Sequence, residues 1–81
     1  HLFARAKEIS DSQEIPFHYF LPLIEETTQK ILTIDPKSAQ TGPAVRNDQR
    51  VLELHEELLN DPEKLKIYKT MNESIKKMYE L

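Results

Sequence analysis

Gln40-Thr41-Gly42-Pro43-Ala44-Val45-Arg46-Asn47-Asp48 is the stretch on which the reading of this chain turns. It holds the only glycine of the sequence and one of its five prolines. A residue before proline is driven out of the helical region, and glycine alone reaches the remaining conformations cheaply, so Gly42-Pro43 predicts a shaped turn. Asn47 or Asp48 is placed to cap a helix that starts immediately afterwards. Free N–H groups at a helix start favour anions, and the Arg46 guanidinium is a bidentate donor for carboxylate or phosphate. With the Thr41 hydroxyl close by in sequence, Thr41 and Arg46 are the candidate substrate-binding pair. Glu26, Asn47 and Asp48 read as supporting or capping residues. The plainer alternative is that Thr41 caps a turn, Arg46 pairs with an acid such as Glu26, and Asp48 caps the helix.

Downstream of this stretch, Val51, Leu52, His55, Leu58 and Leu59 fall at helical spacing and predict a helix to about Leu59. Asn60 suits its C-terminal end, and Asp61-Pro62-Glu63 restarts a helix with a cap, a first-turn proline and a first-turn acid. Leu65, Tyr68, Met71, Asn72, Ile75, Met78 and Tyr79 alternate at three and four residues, a seam that packs on another helix. Upstream, Asp35-Pro36 predicts one short helical turn up to Gln40. Residues 16 to 33 predict a second helix beginning at Pro16, which either kinks at Pro22 or restarts there after one irregular turn, the continuous kinked helix being the favoured reading, with Glu26 and Lys30 as a four-residue ion pair. Leu2, Phe3, Ala6 and Ile9 predict an amphipathic first helix over residues 2 to 10. No segment alternates as a strand does, so the expected fold class is all-α, a small bundle of about four helices.

Composition bounds the function. The chain has 81 residues, no cysteine and a formal charge of -3 from 11 basic and 14 acidic residues. Disulfides, thiolate metal sites and cysteine nucleophiles are excluded, and the absence of cysteine fits a reducing, cytoplasmic setting. There is no basic stripe of the kind nucleic acid requires, no apolar run long enough for a membrane span and no signal peptide. Lys64, Lys66, Lys69, Lys76 and Lys77 alternate with Glu63, Glu73 and Glu80 and read as a solvated helix face. With one glycine the chain builds neither a phosphate loop nor a dinucleotide fingerprint. His1, His18 and His55 do not fall at ligand spacing, so no metal site is expected. His55 lies on an apolar stripe and reads as a satisfied core or interface histidine. The sequence opens in mid-helix without methionine, and residues 1–81 are therefore expected to be a single helical domain from the C-terminal part of a larger two-domain protein.

The block Thr41 to Asp48, followed by His55 and Tyr68 and preceded by Pro22-Leu23-Ile24-Glu25-Glu26-Thr27, resembles the C-terminal helical domain, of unknown function, of certain Rossmann-type NAD(P)-dependent oxidoreductases. The resemblance implies an all-helical fold similar to the C-terminal domains of 6-phosphogluconate dehydrogenase and pyrroline-5-carboxylate reductase. It implies a preceding Rossmann domain that holds most of the NAD or NADP, with none held by this chain alone. It also implies a domain that lines the substrate side of the cleft and forms a homodimer through helical faces, inactive in isolation. The rival expectation is a free-standing helical interaction module, suggested by the Met/Tyr stripe and the small size.

Overall fold

The computed structural model describes residues 1–81 and contains helices and turns with no strand. In order these are α1 (Leu2–Ser12), a 3-10 turn (Phe17–Phe20), α2 (Leu21–Lys30), α3 (Pro36–Ala39), α4 (Gln49–Leu58) and α5 (Pro62–Met78). The all-α expectation holds, with the one-turn α3 where Asp35-Pro36 predicted it. Two units form, His1–Ala39 and Gln40–Leu81.

In the first unit, α1 carries Arg5–Glu8 and Lys7–Asp11 ion pairs at 3.0 and 2.8 Å. Both are exposed one-turn pairs, each contributing only a few tenths of a kcal/mol, about 0.3. The helix ends in a Schellman motif: Ile15 N–H donates to the Ser10 carbonyl and Glu14 N–H to that of Asp11, at 2.9 and 3.1 Å. Glu14 takes the left-handed position at φ 57°, where glycine is the usual occupant. Ser10 is buried, and its hydroxyl donates to the Lys7 carbonyl at 2.9 Å.

Two expectations about the second segment need correction. Pro16 is not a first helical residue; it is extended (φ -58°, ψ 128°) and caps the 3-10 turn, its carbonyl accepting from Tyr19 N–H at 3.1 Å. Pro22 does not kink a continuous helix either. The chain winds one 3-10 turn, and Pro22 then stands in the first turn of α2, where its missing N–H has no helical partner to lose. Within α2 the Glu26–Lys30 pair forms at 3.8 Å, as expected. The hydroxyls of Thr27 and Thr28 donate back to the Leu23 and Ile24 carbonyls at 2.9 and 3.2 Å.

The second unit is an antiparallel helical hairpin behind an ordered loop. His55 on α4 meets Tyr68 on α5, and Lys76 Nζ near the end of α5 donates to Gln49 Oε1 at the start of α4. The two residue pairs run in opposite senses along the helices, which sets the register. Leu52 is the apolar centre, at 2% exposure. Asp61 caps α5 by accepting from Glu63 N–H at 3.0 Å, with Lys64 Nζ on its other oxygen at 2.8 Å. The α5 seam is only partly covered: Leu65, Tyr68, Asn72, Ile75 and Tyr79 are half-buried, whereas Met71 and Met78 are exposed.

Candidate functional site

The loop before α4 is built from its own backbone. Gly42 adopts φ +103°, which an L side chain rarely takes. From there the chain winds one helical turn, with Arg46 N–H reaching the Gly42 carbonyl at 3.4 Å. The turn closes by a second Schellman pairing: Asp48 N–H donates to the Pro43 carbonyl at 2.9 Å and Asn47 N–H to that of Ala44 at 3.1 Å. Asn47 supplies the left-handed residue at φ 54°, a conformation asparagine tolerates better than most side chains. Ala44 pins the turn to the unit at 2% exposure.

The two residues that sequence reading offered as possible caps thus divide the work. Asp48 is the cap, its Oδ1 accepting from Val51 N–H at 3.3 Å. Asn47 ends the turn before it. Arg46 is exposed, and its guanidinium has neither hydrogen-bond nor ion-pair partner. Within its own unit Arg46 forms no ion pair of the kind the plainer expectation requires, and Glu26, in the other unit, is paired with Lys30 at 3.8 Å. Thr41 is also exposed; its carbonyl accepts from Gln40 Nε2 at 2.8 Å, and its hydroxyl makes no hydrogen bond. Thr41 and Arg46 therefore stand on one ordered loop as free donors without touching each other.

The other polar feature of this unit lies between its two long helices. His55 Nδ1 and the Tyr68 hydroxyl are hydrogen-bonded at 2.6 Å, with the rings edge to face at 5.8 Å. When the imidazole proton sits on Nε2, the hydroxyl donates. The pair is half-buried, which is the satisfied histidine expected from the apolar stripe. Asn72 is different: its amide nitrogen is buried and unpartnered. An asparagine in a three-four seam gives no sequence signal that separates a paired amide from an unpaired one.

The start of α5 perturbs the titration of its cap, Asp61. Its carboxyl is held below the ordinary value of 3.8, first by the hydrogen bond from Lys64 and next by the Glu63 N–H. No set of three His, Asp or Glu side chains is arranged to hold a metal ion, and no helix is long and apolar enough to cross a membrane. With one glycine and no strand, the chain offers no loop able to cradle a dinucleotide phosphate.

This helical fold is shared with part of a longer protein of known structure. The crystal structure of a putative NADP oxidoreductase from Bacteroides fragilis superposes with a TM-score of 0.89 at 41% identity, covering 93% of this chain and 30% of that one. The chain thus spans less than a third of the length of that protein. Residues 1–75 match the family model of a domain of unknown function, DUF2520, and the chain belongs to that family. No curated protein matches it.

Proposed function

We propose that this chain is the substrate-side and dimerising domain of an NAD(P)-dependent oxidoreductase, inactive alone and working in a cytoplasmic setting. The observation that carries the reading is the exposed, unpartnered Arg46 beside Thr41, on a loop whose shape is imposed by Gly42, Ala44, Asn47 and Asp48. Its likeness to part of a much longer oxidoreductase favours this over a free-standing interaction module. The nicotinamide cofactor would be held by a Rossmann domain outside residues 1–81, since nothing in this chain fits it.

In this reading Arg46 clamps a carboxylate or phosphate of the substrate and Thr41 donates a second hydrogen bond. A rigid loop loses little entropy on binding, so the clamp orients the substrate efficiently. Asn47 and Asp48 hold the loop, and Glu26 stays in its pair with Lys30. Replacing Arg46 with alanine in the full-length enzyme should raise KM for the anionic substrate roughly tenfold, the scale of one charge-assisted hydrogen bond. Arg46→Lys should recover part of that loss, because it restores the charge but not the fork. Unchanged kinetics in a folded Arg46→Ala enzyme would remove the residue from the site.

A further inference from the structure

We draw no further inference here: the strongest candidate, the apolar groove between α1 and the 3-10 turn of the first unit, carries nothing because nothing in the structure shows what covers it.

Discussion

At the residue scale, left-handed backbone explains most of the loop geometry. Only Gly42 is a glycine; Glu14, Asn47 and Glu80 take the same half of conformational space with side chains attached. Glu14 and Glu80 each close a Schellman motif, the latter through Leu81 N–H to the Lys76 carbonyl at 2.9 Å. A side chain there costs on the order of 1 kcal/mol, which glycine would not incur. Glu14→Gly should therefore raise stability by about 0.5–1 kcal/mol in urea denaturation, offset in part by the freer unfolded chain. Gly42→Ala should do the opposite. Space for the added Cβ is open, with no atom within 4 Å, so the loss comes from the backbone at φ +103° alone. A decrease of about 1–2 kcal/mol is expected by the same measurement.

At the scale of elements, α4 and α5 are joined by few but specific contacts. Tyr68→Phe would keep the edge-to-face packing and leave His55 Nδ1 without its partner, a loss of about 1 kcal/mol measurable by thermal denaturation. Asn72→Leu should raise the melting temperature, because it removes an unpaired buried amide from the same seam. The start of α5 carries the acid dependence. Lys64 and the Glu63 N–H favour the ionised Asp61, so the folded state gives up this proton more readily than the unfolded one. Its contribution is complete above the ordinary 3.8 and is lost as pH falls through the lower, folded value. Asp61→Asn should flatten that acid limb in a series of denaturation curves between neutral pH and acid.

For the whole molecule, local signals carried the helices and failed at two kinds of place. Asp35-Pro36, Asp48 and Asp61-Pro62 announced helix starts because capping chemistry is short-range, and the structure uses each of them. Pro22 misled because its cost depends on its distance from a helix start, and the 3-10 turn at Phe17–Phe20 moved that start to Leu21. The Met/Tyr stripe showed an apolar face without showing how much of it the chain itself would cover. The oxidoreductase resemblance was legible in the octapeptide at Thr41, and the shared fold bears it out.

Sequence alone thus determined that this protein is helical, where α4 and α5 begin, that Gly42 shapes a turn, and that no dinucleotide loop exists. Those properties depend on residues a few positions apart or on composition. Tertiary structure decided that His55 meets Tyr68, that Ala44 and Leu52 are the buried centres, that Arg46 stays unpaired and that the face between α1 and the 3-10 turn stays open. Burial and pairing depend on which surfaces meet, and an amphipathic pattern is the same whether its apolar side is covered or left for a partner.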